Sequence, residues 1–233
     1  MVGLLAGLAA APALRAAATR HAVPYGEPLR SSCACGRTLR LLPPSGRCPG
    51  CRERLGPAPL VVELVAAGVG AAVGSAVGSA VGWPIGPALV WVALFAVVLA
   101  FVDTAVHRLP DALTLPLALG TAVLLAGAAL LDHRVSVLRS CLLSAVILGL
   151  LYGTLALLGP MGLGDAKLAP TLGALLAWYG WRTVFAGVFE GFLLAAVWGM
   201  TLLLTRRATR KDPLPFGPAM LLGALVAILT VVR

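Results

Sequence analysis

The sequence predicts an all-α polytopic membrane bundle of about eight transmembrane helices, with one small cysteine-rich loop on the cytoplasmic side. Three observations predict it. Of 233 residues, 60% are hydrophobic and 12% charged, where a soluble domain carries about 25% charged residues. The mean hydropathy is +0.97, and the apolar residues fall in long runs separated by short polar turns. Those runs do not alternate at period two, which excludes a β-barrel. The formal net charge is +9, but its arrangement does not point to nucleic acid. The basic residues gather in two loops, as membrane topology requires.

The first apolar segment spans 1–18, broken by Pro12 and Arg15. Positive residues follow it rather than precede it. It therefore reads as an uncleaved span with its N-terminus outside, not as a signal peptide. Residues 19–57 form the one sizeable polar region, with seven arginines and four cysteines. The second span, 60–81, carries Gly70, Gly74, Gly78 and Gly82 at every fourth position, beside Ser75 and Ser79. Small residues on one face let another helix approach closely, and the same face offers a surface for a second copy of the chain. Glu63, at the start of this span, is either a solvated interfacial charge or the partner of a loop arginine.

Trp83 to Pro87 forms a turn into a third span at 88–102, which delivers Asp103. A polar connection at 107–111 leads to the fourth span, 112–131. The fifth covers 137–158, and Gly159 to Lys167 reads as a glycine-rich loop. The sixth span, 168–179, is short. The seventh covers 183–205, the basic loop follows, and the eighth runs from 216 to 232. With the N-terminus outside, thirteen Lys and Arg face inward and four outward. This asymmetry puts Asp103, Asp111 and Asp165 on the cytoplasmic side.

Two interruptions of the apolar pattern carry chemistry. One is Asp103-Thr-Ala-Val-His107-Arg108-Leu109-Pro110-Asp111. The other is Gly162-Leu163-Gly164-Asp165-Ala166-Lys167. A carboxylate at the end of an apolar helix is costly to ionise alone. Two held close together cannot both ionise easily, so one keeps its proton. The pair then supplies one base to activate water and one acid for the carbonyl oxygen or leaving nitrogen. Asp103 and Asp165 are the expected pair. Gly162 and Gly164 would let the backbone bend and a substrate strand approach. Arg108 and Lys167 are read as neighbours that tune the site. Asp111 is an interfacial charge or helix cap, or a supporting member. A catalytic role for His107 and a functional role for Glu190, inside the seventh span, stand against solvated and packed alternatives. Trp83, Trp178, Tyr179 and Trp181 read as interfacial anchors, and Cys141 as core.

Cys33-Ala-Cys35 and Cys48-Pro-Gly-Cys51 can supply four thiolates for tetrahedral zinc, which would staple a loop too short to have a core. Reduced, unligated thiols are the alternative. A loop on the reducing side of the membrane favours either over disulfides.

The two aspartate motifs resemble the signatures of the type IV prepilin peptidases, a GxGD-type family of intramembrane aspartyl proteases. Pro215-Phe216-Gly217-Pro218, the cysteine loop and Glu63 also resemble that family. The resemblance implies that Asp103 and Asp165 are catalytic. It implies an inner-membrane endopeptidase acting at the cytoplasmic face on prepilins and pseudopilins. Those substrates are cut after a glycine, between a short basic leader and a hydrophobic helix. The peptidase part would be 58–233. Many members also methylate the new N-terminus with S-adenosylmethionine, an activity associated with the 19–57 region. Here the first cysteine pair is one residue closer, and the segment between the pairs shorter, than the family pattern. Competing readings are a small transporter that uses the aspartates as a proton relay, and an assembly scaffold packed through the glycine face.

Overall fold

The computed structural model describes all residues except 25, 40, 41, 79–82, 160, 207, 208, 210–213 and 233. Several residues named or counted above therefore lie outside the described set: Arg40, Ser79, Gly82, Arg207, Arg210, Lys211 and Arg233. Among the described residues eight helices follow one another: α1 (Val2–His21), α2 (Val61–Gly78), α3 (Gly86–Val106), α4 (Asp111–Leu131), α5 (Val137–Leu157), α6 (Leu163–Ala177), α7 (Trp181–Leu204) and α8 (Gly217–Val232). Six of them, α1–α5 and α7, are long and apolar enough to cross a membrane. At 15 and 16 residues, α6 and α8 fall short of the ~20 residues a span requires. The chain is thus a multi-pass membrane protein in which two shorter helices complete the bundle.

Helices adjacent in sequence pair tightly: α1 with α2, α5 with α6, α7 with α8. Small residues make each seam. In the first pair, a Cβ on Gly70 would run into the Gly3 carbonyl, and one on Gly7 into the Ala66 carbonyl. In the second, Gly149 leaves room for the Pro170 ring, and a Cβ on Gly173 would lie 3.0 Å from the Ser144 carbonyl oxygen. In the third, Gly223 sits against the Gly191 backbone. Lipid tails give helices no hydrophobic reason to associate. Close backbone approach supplies dispersion contact instead. The glycine face of α2 is therefore occupied at Gly70 and Gly74 by α1 of the same chain.

The least lipid-facing element is α6. Nine of its 15 residues are buried, and it contacts α4, α5, α7 and α8. A helix enclosed by others need not match the bilayer thickness, which accounts for its length. Its start corrects the expected boundary. The glycine-rich stretch is not a loop up to Lys167, because the helix begins at Leu163 and carries Asp165 in its first turn. Trp178 also departs from expectation. It is buried, with the Arg134 guanidinium 5.6 Å from its ring centroid, so it packs where an interfacial anchor was expected.

Candidate active site

The end of α3 meets the start of α8 at Asp103, and the start of α6 packs on Leu109, just beyond the end of α3. Asp103 lies in the last turn of α3 and Asp165 in the first turn of α6. Both are buried, at 5% and 6% exposure in an apolar bundle, and Asp165 lies within electrostatic reach of Asp103. Asp103 Oδ2 accepts a hydrogen bond from the Gly217 N–H at 3.0 Å. That donor stands at the N-terminal end of α8, where the helix dipole favours negative charge. A side chain on Gly217 would place a Cβ 2.8 Å from Asp103 Oδ2. Gly217→Ala is therefore expected to displace the Asp103 carboxylate without dismantling the bundle. Any activity that depends on Asp103 should fall at least about tenfold, while membrane insertion is retained.

The two glycines before Asp165 have roles other than the expected bending. Gly162 has ordinary extended backbone, φ −72°, and is the N-cap of α6. Its carbonyl accepts the Asp165 N–H at 3.1 Å. Gly164 is helical, and a Cβ there would lie 3.0 Å from Leu109 Cβ and 3.1 Å from Leu109 N. The absent side chain thus lets the GxGD segment seat against the Leu109-Pro110 segment of the upstream motif. This contact joins the two motifs in space.

The supporting residues divide. Lys167 forms an ion pair with Asp111, joining the first turns of α6 and α4. Both side chains are exposed, so the pair contributes about 0–1 kcal/mol. Asp111 does not cap α4: Pro110 is the N-cap, and Asp111 sits in the first turn. Arg108 is half-buried beside Leu109. His107 ends α3 in the left-handed region, φ 51°, with its N–H on the Asp103 carbonyl at 2.8 Å. Its ring is exposed but within electrostatic reach of Asp103.

Sequence reasoning missed the aromatic wall beside the site. Tyr152 of α5 is 1% exposed and within electrostatic reach of Asp165. Its ring lies 5.8 Å from Phe192 and 6.3 Å from Phe216, the residue before Gly217. A tyrosine inside an apolar run was the available signal. Glu190 is half-buried in α7, and its Oε2 finds no hydrogen-bond partner among the described residues. The hydrogen-bonded packing role weighed for it is therefore not what the structure shows.

The polar loop converges independently. Two short turns, bridged at Ser32–Thr38 and Arg47–Arg54, bring the sulfurs of Cys33, Cys35, Cys48 and Cys51 within 4.8 Å of one another. A tetrahedron with metal–sulfur bonds of about 2.3 Å has sulfur–sulfur edges of about 3.8 Å, so the four thiols can hold a metal ion. The Cys51 and Gly50 backbone N–H groups pull the Cys48 thiol down to about 6, whereas Cys33 is pushed up to about 12 despite the Cys35 N–H, by the Cys51 thiol, burial and Glu53, so the convergence of the sulfurs is what suits a metal. Among the described residues, the loop buries Leu39 and Leu42 around the sulfurs, with Leu55 packed against them. The loop is docked on the bundle by Arg15, which is fully buried. It pairs with Glu63 through Nε and Nη2, and its Nη1 donates to the Pro57 carbonyl at 3.2 Å. Glu63 is thus neither solvated nor paired with a loop arginine. Its partner comes from α1.

Comparison with known proteins agrees with this geometry. Residues 89–204, which hold both aspartates, match the type IV leader peptidase family. That stretch belongs to this family. Three relatives, each named prepilin leader peptidase/N-methyltransferase, align over most of the chain. The Aeromonas salmonicida protein is 33% identical over 189 residues, covering 79% of this chain and 62% of its own. The Burkholderia pseudomallei protein is 31% identical over 214 residues, covering 85% and 66%. The Pseudomonas aeruginosa protein is 28% identical over 197 residues, covering 79% and 62%. The chain therefore spans a little under two thirds of the length of these relatives. No solved structure gives a significant match.

Proposed function

We propose that this member of the type IV leader peptidase family is a membrane aspartyl endopeptidase. In this reading it cuts prepilins or pseudopilins between their basic leader and the apolar helix that follows. The observation that supports it is that Asp103 and Asp165, each buried at a helix end in an apolar bundle, lie within electrostatic reach of one another. One carboxylate, ionised, takes a proton from water. The other, protonated, gives its proton to the scissile carbonyl oxygen; the first then passes the proton it took from water to the leaving nitrogen, while the second recovers a proton from a hydroxyl of the tetrahedral diol as the C–N bond breaks. The Gly217 N–H fixes Asp103 while the proton moves. The organisation we infer is a first span at 1–18, a cysteine loop at 19–57 and a peptidase part at 58–233. The aspartates face the cytoplasm of the inner membrane, the side the basic loops mark. Gly164 sets the motif contact, Gly162 caps α6, and Lys167, Asp111 and Arg108 frame the polar edge of the site.

The test is to reconstitute the chain in proteoliposomes with a prepilin-type substrate and read the product masses. A cut at the junction of leader and apolar helix is expected. Ion or solute flux that needs the aspartates, with no cleavage, would favour the transporter reading instead.

Zinc is the metal we assign to the four cysteines, because four thiolates suit its tetrahedral preference. Bound there, it would cross-link the two turns of a loop with little core. About one zinc per chain is expected in the purified protein, and Cys48→Ser should lose it. A wild-type protein free of metal would remove the assignment. The relatives' name also includes N-methyltransferase, which calls for S-adenosylmethionine. A cavity of about 340 Å³ lies between α1, the loop and the end of α3, and its polar side chains are Thr19, Arg30 and Thr104. Among its described lining residues no carboxylate faces a sulfonium, and Arg30 could meet only the donor's own carboxylate, so we assign no methyl-transfer step to this cavity.

A further inference from the structure

A second feature runs up to the aspartates. An apolar groove of about 260 Å³ is lined by α2, α3, α6 and α8. Its lining is aliphatic along most of its length and becomes polar at one end, where α3 contributes Thr104, next to Asp103. At that end α8 contributes Pro218, next to Gly217. The rim is open there too, with Val65 of α2 and Leu222 of α8 both exposed. From Leu89 to Asp103 the α3 wall is 14 residues, about 21 Å at 1.5 Å per residue.

Helical spacing ties the groove to the site. Val92 and Ala96 line the groove, and Asp103 lies eleven and seven residues beyond them, three and two turns along the same face of α3. On α6, Leu172 lines the groove and Asp165 lies seven residues before it, again on one face. Both aspartates are thus in helical register with residues that line the groove, just outside its lining. Ala93, Ala96 and Ala100 keep the α3 wall low, which lets a neighbouring helix approach closely.

We propose that this groove seats the apolar helix of the substrate, entering sideways from the bilayer between α2 and α8, so that the peptide bond ahead of that helix is delivered to Asp103 and Asp165. This rests on the endopeptidase reading above. The volume suits the side chains of one face of a helix, not its backbone, so the incoming helix lies in the groove as a further wall. The geometry makes the apolar segment a specificity determinant. The aspartates meet a bond only where an extended segment enters the first turn of a long apolar helix.

The test compares two substrates in proteoliposomes. One has the leader and the full apolar helix. The other is a short peptide that ends a few residues after the cut. For Ala96→Trp, the ratio of kcat/KM on the long substrate to that on the short one is expected to fall more than tenfold. A photo-crosslinking residue in the substrate's apolar helix, presented to the Asp103→Asn protein, should label α2, α3, α6 or α8 along the groove. This labelling does not depend on how well the tryptophan variant folds. A ratio within twofold of wild type, or labelling confined to other helices, would overturn the proposal. So would equal labelling by an unrelated single-pass helix, which would leave the groove to lipid. If the wild type cleaves the long substrate and these results go the wrong way, only the groove assignment falls. If it cleaves neither substrate, the endopeptidase reading falls, and crosslinking alone decides what the groove holds.

Discussion

Replacing Asp103 or Asp165 with asparagine is expected to slow cleavage of a prepilin-type substrate by about 10²–10⁴-fold, the range over which a positioned acid or base contributes. The substitution keeps shape and can still accept the Gly217 N–H at position 103. What it removes is the exchangeable proton. In Asp103→Asn the one carboxyl left is that of Asp165, which can be the base or the acid in a given step but not both. The double variant should be little worse than either single one, because the two groups act as a unit. Each variant should reach the membrane in normal amount, and asparagine at these buried positions avoids the cost of an ionised group. Initial rates in proteoliposomes, with protein amount fixed by quantitative blotting, check this. Substantial cleavage by either single variant would sink the aspartyl mechanism.

Much of this arrangement was legible in the sequence, for a definite reason. Apolar runs report burial in lipid or protein, so the eight helices of the described residues were found, all but the start of α6 within a few residues of their ends. What the runs do not report is which helix is enclosed. The start of α6 was missed because Gly162, Gly164 and the charges of Asp165 and Lys167 look like a loop. Packing of Gly164 on Leu109 holds that turn helical against its weak intrinsic preference. The aspartates were legible as a pair because each interrupts an apolar run. The group that holds one of them was not. Gly217 is 114 residues from Asp103, and a backbone N–H leaves no mark in a sequence. Tyr152 is similar: its residue type stood out, but only the fold puts it beside Asp165 and Phe216.

The Arg15–Glu63 pair shows the same limit and carries the largest stability effect expected here. Each charge was visible alone, Arg15 as a defect in the first span and Glu63 as an ambiguous carboxylate. Only the tight α1–α2 seam brings them together. Arg15 is fully buried, and the Glu63 side chain is 13% exposed. Glu63→Ala therefore leaves a guanidinium in an apolar seam with one remaining partner among the described residues, the Pro57 carbonyl. Removing one member of a buried pair costs about 3–5 kcal/mol. The loss should lower the unfolding midpoint in detergent. It should also loosen the 19–57 loop, because Arg15 is what ties the loop's end to the bundle, so limited proteolysis there should quicken. Replacing both, as Arg15→Met with Glu63→Leu, removes the uncompensated charge and should recover most of the midpoint, as paired hydrophobic replacement of buried ion pairs does. The loop should nevertheless stay susceptible to proteolysis, since the bond to Pro57 is gone. If the double variant unfolds as readily as Glu63→Ala alone, the penalty does not come from an orphaned charge. If the loop is equally protected in all three proteins, it is held by its cysteine site and not by Arg15.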